Sequence, residues 1–421
     1  MNIFEQIESQ VRSYSRSFPT VFTTAKNARL QNRDGQSYID FLAGAGTLNY
    51  GHNNDLMKQP LLDYIQSDGV THGLDMFTDA KEKFLTSLRD IILAPRDMAD
   101  YKVQFTGPTG TNAVEVALKL ARRAKGRTGI VSFTSGYHGC TLGSQAVTGN
   151  KGQRAGCVVS LGDVTRIPYD GYGENFDGLK LLDQMISDPG SGVETPAGVI
   201  VETVQGEGGL NAARMEWLQE LEKVCRKHDM LLMVDDIQAG CGRTGTFFSF
   251  EPAGIKPDVV TLSKSLSGYG LPFAITLQRP ELDTWNPSEH NGTFRGNNLA
   301  FVTARVALEE YWQDDKFAEG IRARAAMLEQ RFGAIVERYE GLKLKGRGMM
   351  RGIAVPDGEL AEAICKESFA NGLIVETSGA WDEVVKCLCP LTIPMEDLEE
   401  GINILEASFD KVLGKSQAKA S

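Results

Sequence analysis

Two residues that could carry chemistry each follow an apolar run in the second half of the chain. Lys264 comes just after the run 259–262, and Asp235 directly follows the run 230–234. Such runs predict buried strands, whose ends meet at one edge of a parallel sheet. A lysine there can react with an aldehyde, and a buried carboxylate can hold a cationic ring nitrogen. The ordinary alternatives are a solvated surface lysine and a loop salt bridge or helix cap.

A glycine-rich turn precedes a helical pattern in the first half of the chain. Gly110 and Thr111 lie in the turn 107–113, and the segment 114–121 has helical periodicity. Backbone N-H groups and the positive dipole end make such a start a phosphate site, although most such starts are merely caps. The dipole supplies at most about 2 kcal/mol, whereas micromolar binding requires about 8 kcal/mol. A covalent bond to Lys264 would close that difference.

An aromatic side chain completes this set of groups. Tyr137 lies between glycines in the segment 133–139, after the strand-like run 129–133, and its ring could stack on a flat heterocycle. The alternative is an aromatic residue packed on a loop. Taken together, the amine, the carboxylate, the phosphate site and the stacking ring predict a phosphate-and-imine site, and pyridoxal 5'-phosphate is one ligand whose cationic ring nitrogen Asp235 could hold.

The order of these segments, with Thr-Phe-Arg-Gly-Asn at 293–297 after them, resembles that of the class III aminotransferases. Segments 201–209 and 235–245 are similar to the two longest signatures of that family nearly residue for residue, and the resemblance covers nearly the whole chain. It implies an α/β protein with the fold-type-I architecture of pyridoxal phosphate enzymes. A large domain would hold a mostly parallel sheet between helices, and both chain ends would form a small α+β domain.

The resemblance implies a role for each matching position. Lys264 would be the catalytic lysine that forms a Schiff base with the cofactor, and Asp235 would be the partner of the pyridinium nitrogen. Gln238 would donate a hydrogen bond to the phenolic oxygen of the ring. Gly110 and Thr111 would bind the phosphate.

Three further positions match the family near the cofactor. Tyr137 would lie over the ring, and Thr293 would reach the phosphate of the neighbouring subunit's cofactor, so the resemblance implies a homodimer or a higher assembly of dimers. Glu207 matches the glutamate that controls carboxylate binding. No metal ion is expected, because the five histidines are scattered along the sequence.

Two departures from the family pattern bear on the substrate. Ornithine and 4-aminobutyrate transaminases carry an arginine where this chain has Cys140, and family members carry a second arginine where it has Lys386. Because lysine is a point charge rather than a bidentate fork, Lys386 is either the cation that grips a substrate carboxylate or a surface residue. With segments 48–54 and 384–391, these departures resemble members that transfer the amino group of glutamate to aspartate 4-semialdehyde.

Three alternative functions are compatible with these residues. The chain could be another class III ω-aminotransferase, of the ornithine or 4-aminobutyrate type. It could catalyse a different pyridoxal phosphate reaction, such as that of an aminomutase or a decarboxylase, or it could bind the cofactor without catalysis. The balance of 44 basic and 55 acidic residues argues against nucleic acid and anionic membranes as partners.

Length and composition fit a protein of more than one domain. The 421 residues, of which 42% are apolar, can form large cores. We predict one part of the small domain at 1–55, a large cofactor-binding domain at 56–325, and the rest of the small domain at 326–421. No apolar run approaches the roughly 20 residues of a membrane span, and the N-terminus lacks a signal peptide's apolar segment. Seven cysteines without a Cys-x-x-Cys pair point to a reducing compartment, so we expect a cytoplasmic protein.

Overall fold

The structure, a computed structural model, describes residues 2–173 and 176–420 of the chain. Its strands are β1 (Phe22–Lys26), β2 (Arg29–Asn32), β3 (Ser37–Asp40), β4 (Lys102–Phe105), β5 (Ile130–Phe133), β6 (Val164–Ile167), β7 (Gly198–Val201), β8 (Val204–Gln205), β9 (Asn211–Ala212), β10 (Leu231–Asp235), β11 (Val259–Leu262), β12 (Ile275–Gln278), β13 (Lys343–Arg347), β14 (Met350–Ala354), β15 (Leu373–Ile374), β16 (Glu376–Ser378) and β17 (Val384–Cys387). Its helices are α1 (Ile3–Ile7), α2 (Tyr14–Ser17), α3 (Ala43–Gly46), α4 (Asp55–Gln66), α5 (Asp79–Ser87), α6 (Gly110–Lys125), α7 (Leu142–Val147), α8 (Lys151–Ala155), α9 (Gly178–Ser187), α10 (Met215–Lys227), α11 (Asn298–Tyr311), α12 (Lys316–Arg338), α13 (Gly358–Ala370) and α14 (Met395–Ala420). None of the helices in these two ranges has the length and apolar composition that a membrane span requires.

The largest sheet has seven strands in the order β4-β12-β11-β10-β7-β5-β6, and β12 runs antiparallel to both of its neighbours. The pairings among β11, β10, β7, β5 and β6 are all parallel. Along β10, Leu232 and Val234 face the core that contains α10, while Leu231 and Met233 face the core that contains α6. Because both faces are covered, these strands are apolar throughout. The predicted α/β architecture, with a mostly parallel sheet between helices, is confirmed.

Parallel pairing brings the chemical groups of the sequence to one edge of this sheet. Asp235 at the end of β10 pairs with Thr261 in β11. Strand β11 ends at Leu262, and Lys264 follows it after one intervening residue. Strand β7 pairs with β10 on the other side and ends next to Glu202. Since parallel strands all point the same way, the segments that follow them emerge together, where ligands of open α/β sheets bind.

Two smaller sheets are built mainly from the ends of the chain. One has the order β1-β2-β3-β15, and its parallel pair β3-β15 joins the N-terminal and C-terminal regions. The other has the order β13-β14-β17-β16. The division into segments 1–55, 56–325 and 326–421 stays a prediction. Its second boundary falls inside α12, so the elements favour a boundary before Lys316.

Arg243 ties the large sheet to both ends of the chain. It lies in the loop after β10, and its side chain is fully buried. The guanidinium donates to the backbone oxygen of Cys389 at 2.6 Å and to the side-chain oxygen of Asn49 at 2.5 Å. The amide of Asn49 in turn donates to the backbone oxygen of Cys241 at 2.9 Å. A buried cation is stabilised when such acceptors are fixed around it, so these three segments depend on one another.

Candidate active site

A cavity of about 570 Å³ opens at the edge of the sheet where the parallel strands end. The segments after β4, β5, β7, β10 and β11 line it, together with β16 and the N-terminal helix α2. Seven of the predicted site residues lie on its wall: Gly110, Thr111, Tyr137, Glu207, Asp235, Gln238 and Lys264. The fold therefore brings together groups that are widely separated in the sequence.

Lys264 occupies a strained position at this edge. It begins a short 3₁₀ turn, Lys264–Ser267, and its φ of 48° places it in the left-handed region, which is unfavourable for a side chain with a Cβ. Such strain is common where a functional group must be held in place. Burial lowers the pKa of Lys264 below its ordinary value, although the charge of Glu207 opposes this shift. The lowered pKa favours a neutral amine.

Asp235 is held in one orientation by three donors. The Nδ1 atom of His138 lies 2.7 Å from its Oδ2, and because a carboxylate can only accept, Nδ1 is the donor. Its Oδ1 accepts from the hydroxyl of Thr261 at 3.2 Å and from the backbone N-H of Ile237 at 3.3 Å. Burial would lower the pKa of His138, but the hydrogen bond and charge of Asp235 outweigh it and raise that pKa. His138 and Asp235 thus form a buried, charge-assisted pair.

The N-terminus of α6 leaves backbone donors facing the cavity. The N-H groups of Asn112 and Ala113 both bond to the carbonyl of Thr109. Those of Gly110 and Thr111 have no backbone partner among the described residues, as is usual in the first turn of a helix. The hydroxyl of Thr111 is engaged elsewhere, since it lies 2.7 Å from that of Thr141 and donates to Ser144 at 2.9 Å. The backbone N-H of Thr111, and not its hydroxyl, is therefore available to an anion.

Tyr137 is partly buried on the cavity wall, and its backbone is hydrogen-bonded to Glu202, which also lines the cavity. The backbone N-H of Tyr137 donates to Glu202 Oε2 at 2.8 Å, and that of Gly206 donates to Glu202 Oε1 at 3.2 Å. Burial raises the pKa of Glu202 to about 7, although the charge of His138 opposes this. Tyr137 is therefore fixed through its backbone, which leaves its ring to face the cavity.

Gln238 lies on the cavity wall with both of its amide hydrogens engaged. Its amide nitrogen donates to the backbone oxygen of Ala45 at 3.0 Å and to Glu207 Oε1 at 3.1 Å. These two bonds use both of its donor hydrogens. Its buried Oε1 has no partner among the described residues. The predicted donation from Gln238 to the cofactor stays a prediction, and it requires one of these bonds to be given up.

Lys386 is fully buried, so the alternative of a surface lysine is wrong. Its ammonium lies 3.0 Å from Glu207 Oε1 and 2.9 Å from Glu376 Oε1. Burial would lower the pKa of Lys386, but the charges of the two carboxylates outweigh it and raise that pKa. Burial likewise opposes ionisation of Glu207, yet the charge of Lys386 lowers its pKa to about 2. Lys386 and Glu207 are both charged at neutral pH.

Thr293 and Cys140, also singled out in the sequence, differ in their position relative to the cavity. Thr293 is exposed, in the turn Thr293–Gly296, and is not on the wall of its own chain's cavity. Its role at a neighbouring subunit stays a prediction. Cys140, which stands where relatives carry an arginine, is on the wall.

Three residues of the site were missed in the sequence. Glu202 follows β7 as Lys264 follows β11, so the strand-end rule could have found it. His138 lies within the glycine-flanked segment that drew attention to Tyr137, but nothing local marks it as the partner of Asp235. Glu376 has no local signal, because it reaches the cavity only through the pairing of β16 with β17.

Comparison with known proteins identifies the class. The family described as "Aminotransferase class-III" matches residues 11–409. The chain therefore belongs to the class III aminotransferases. It is 56% identical over 423 residues to the diaminobutyrate–2-oxoglutarate transaminase of Vibrio parahaemolyticus, with 100% of both chains covered. It is 59% identical over 412 residues to the protein of that name from Halomonas elongata, with 96% of this chain and 98% of the relative covered.

Solved structures have the same fold. The ornithine aminotransferase of Toxoplasma gondii superposes with a TM-score of 0.84 at 24% identity, covering 98% of this chain and 94% of that one. An S-selective transaminase from Arthrobacter sp. superposes with a TM-score of 0.85 at 20% identity, covering 98% and 99%. At such identities the likeness shows the architecture alone.

The cavity fits pyridoxal 5'-phosphate, the cofactor of the class III aminotransferases. The free N-H groups of Gly110 and Thr111 at the start of a long helix suit a phosphate. The carboxylate of Asp235 can accept a further hydrogen bond, here from a protonated ring nitrogen. Lys264 supplies an amine on the same wall. Each group of the cofactor thus has a chemical counterpart.

Replacing Lys386 with methionine should show what the buried ammonium contributes. We expect Lys386→Met to lower the free energy of unfolding by about 3 to 5 kcal/mol at pH 8, because two carboxylates lose their shared cation. The folded-state pKa of Lys386 is raised, so its contribution is fully present below its unfolded pKa and lost only in strong alkali. In the variant the deficit should shrink as the pH falls toward about 5, where the unpaired carboxylates take up protons.

Urea unfolding of both proteins at pH 8 and pH 5 measures this effect. Lys223→Met is the matched control, because Lys223 pairs with Glu220 on the exposed surface. We expect the control to change stability by less than about 0.5 kcal/mol at either pH. Equal effects of the two substitutions would show that the buried ammonium does not stabilise the fold.

Proposed function

We propose that this enzyme transfers the amino group of L-glutamate to the terminal carbon of L-aspartate 4-semialdehyde, giving L-2,4-diaminobutyrate and 2-oxoglutarate. The observation that carries this proposal is full-length identity of 56% and 59% to two diaminobutyrate–2-oxoglutarate transaminases. Cys140 and Lys386, in place of the arginines of ornithine and 4-aminobutyrate transaminases, support it. The reaction would be the first dedicated step of ectoine biosynthesis.

Different residues of the cavity would bind different parts of the cofactor. When bound, pyridoxal 5'-phosphate supplies an aldehyde that takes up the amino group and a ring that takes up the electrons released at the α-carbon. The backbone N-H groups of Gly110 and Thr111 bind the phosphate. Asp235, oriented by His138, accepts a hydrogen bond from the ring nitrogen and keeps it protonated. The ring of Tyr137, on the cavity wall, would stack on a flat heterocycle bound there.

Lys264 holds the cofactor and then moves a proton. When it is not bonded to the cofactor, its amine would take the α-proton of the substrate. Because burial lowers the pKa of Lys264, the neutral amine is available near neutral pH. The same side chain returns the proton when the semialdehyde is aminated in the second half-reaction.

Lys386 receives the α-carboxylate of glutamate, and Glu207 competes for the same cation. The ammonium of Lys386 has three N-H donors, and the α-carboxylate of glutamate competes with Glu207 for them. When glutamate leaves, Glu207 pairs with Lys386 again, as it does in the structure. The two half-reactions can then use one pocket.

A direct assay tests the proposed substrates. The purified enzyme with pyridoxal 5'-phosphate, L-glutamate and aspartate 4-semialdehyde should form diaminobutyrate and 2-oxoglutarate in equal amounts. In the reverse direction we expect diaminobutyrate to be preferred over ornithine and 4-aminobutyrate by at least about tenfold, since one well-placed charged contact contributes that much. A preference for either of the other amines would overturn the substrate assignment. Turnover of glutamate without a keto acid would point instead to a decarboxylase or an aminomutase.

Lys264→Ala tests the catalytic lysine. We expect this variant to fold and bind some cofactor but to lose activity by about 10,000-fold, because removal of a general acid-base group costs up to this factor and the covalent anchor goes with it. Borohydride reduction and peptide mapping should place the cofactor on Lys264 in the wild type and on no residue in the variant. A cofactor adduct on another lysine would contradict the assignment.

We also propose that the enzyme is a homodimer or an assembly of dimers in the cytoplasm. The exposed position of Thr293, away from its own chain's cavity, supports a contact with the cofactor phosphate of a neighbouring subunit. All seven cysteines are free thiols, which supports a reducing compartment. Small molecules are the expected partners, and nucleic acid and membranes are not.

Mixing two inactive variants tests the role of Thr293. If Thr293→Ala is impaired on its own, mixing it with Lys264→Ala should restore activity, because each mixed dimer contains one site with both residues intact. Native mass spectrometry confirms the exchange of subunits. Verified exchange without recovered activity would show that Thr293 does not act across the interface.

A further inference from the structure

Three charged side chains beside the cavity do not balance one another: Glu207 and Glu376 lie on its wall, and Lys386 is buried against both. Glu207 and Glu376 each carry a carboxylate, and both lie within 3.0 Å of the single ammonium of Lys386. When all three are ionised, the cluster has one negative charge in excess. A buried excess charge is costly unless a ligand of the opposite sign is received there.

Glu376 is the less exposed of the two carboxylates. Its side chain is only 9% exposed, and it lies on the cavity wall with Lys264. Its Oε1 faces the ammonium of Lys386, but over the described residues no donor is aligned with this oxygen for a hydrogen bond. Burial, with the charge of Glu207, raises the pKa of Glu376 despite the opposing charge of Lys386. A bound cation would stabilise the ionised carboxylate of Glu376, and a bound anion would destabilise it.

The two proposed substrates differ in whether they bring such a cation. Glutamate reacts through its only amine, so the rest of the molecule presents two carboxylates. Aspartate 4-semialdehyde and diaminobutyrate react at the terminal carbon, so their α-ammonium stays free during the reaction. Only this half-reaction leaves an ammonium that needs an acceptor within the cavity.

We infer that Glu376 binds the α-ammonium of aspartate 4-semialdehyde and of its product, and thereby selects α-amino acids over 4-aminobutyrate. During this half-reaction Lys386 stays paired with Glu207, as it is in the structure. Glu376 is then the carboxylate on the wall that is left for the ammonium. Glu376 has this role only if the proposed function holds.

A binding measurement without catalysis tests the contact between Glu376 and the α-ammonium. Borohydride fixes the cofactor to Lys264, and the affinity of the reduced holoenzyme for two amines is then measured by calorimetry. L-2,4-diaminobutyrate and 4-aminobutyrate differ only in the α-ammonium. We expect the wild type to bind diaminobutyrate about 10 to 100 times more tightly, as one hydrogen bond between charged groups would give. Glu376→Gln should bring that ratio near one.

A matched control and a second variant complete the design. Glu362→Gln removes a carboxylate from the exposed rim of the same cavity, where Glu362 pairs with Lys366, and should leave the ratio unchanged. Glu376→Asp keeps the charge on a shorter side chain and should retain part of the preference. If Glu376→Gln does not fold, Glu376→Asp must lower the ratio by at least about threefold, half a logarithmic unit of affinity.

The two half-reactions, followed by the absorbance of the cofactor, separate selection from a structural role. Glu376→Gln should lower kcat/KM for diaminobutyrate about 10- to 100-fold and change that for glutamate by less than about threefold. Equal losses with both substrates would overturn the role of Glu376. A wild type that prefers diaminobutyrate, with a Glu376→Gln variant that keeps the full preference, would also overturn it. A wild type without this preference would instead refute the proposed function.

Discussion

Parallel hydrogen bonding between β7, β10 and β11 is the constraint on which the site depends. These strands are buried on both faces, so none of their central residues can take part in chemistry. Polar groups are confined to the positions where the strands end, and parallel pairing puts all of those positions on one edge. Asp235 and Lys264 are neighbours for this reason. The antiparallel strand β12 lies beyond β11 and does not alter the arrangement.

Lys264 and Lys386 both lie near the cavity, but their pKa values are shifted in opposite directions. For Lys386 the two nearby carboxylates outweigh burial, so the pKa rises and the side chain remains a cation. For Lys264 burial outweighs the more distant carboxylates, so the pKa falls. One side chain is thereby suited to binding anions and the other to accepting a proton. The division of roles follows from which lysine contacts a carboxylate directly.

The sequence allowed much of the fold and part of the site to be predicted. Apolar runs ending in Asp235 and just before Lys264 indicated strands of a parallel sheet, because burial on both faces leaves a clear pattern. Contacts that depend on tertiary structure left no such pattern. His138 meets Asp235 only after β5 and β10 join the same sheet, and Glu376 meets Lys386 only across β16 and β17.

Some hydrogen bonds could not be predicted from matching positions either. The two donor hydrogens of Gln238 are used by Ala45 and Glu207, and no local pattern indicates these partners. A side-chain amide follows its nearest acceptors, and these belong to segments far away in the sequence. The burial of Lys386 was also undecided in the sequence, because a lysine in a short alternating strand can face either side.

The burial of Arg243 has a consequence for how the chain folds. Its acceptors come from Asn49 near the N-terminus and from Met349 and Cys389 in the C-terminal part of the chain, and none of the three is supplied by the loop that carries it. Until both ends have docked, this guanidinium must remain in water or be buried without partners. The large sheet and the two chain ends are therefore coupled into one cooperative unit of folding, in which loss of either end would loosen the other.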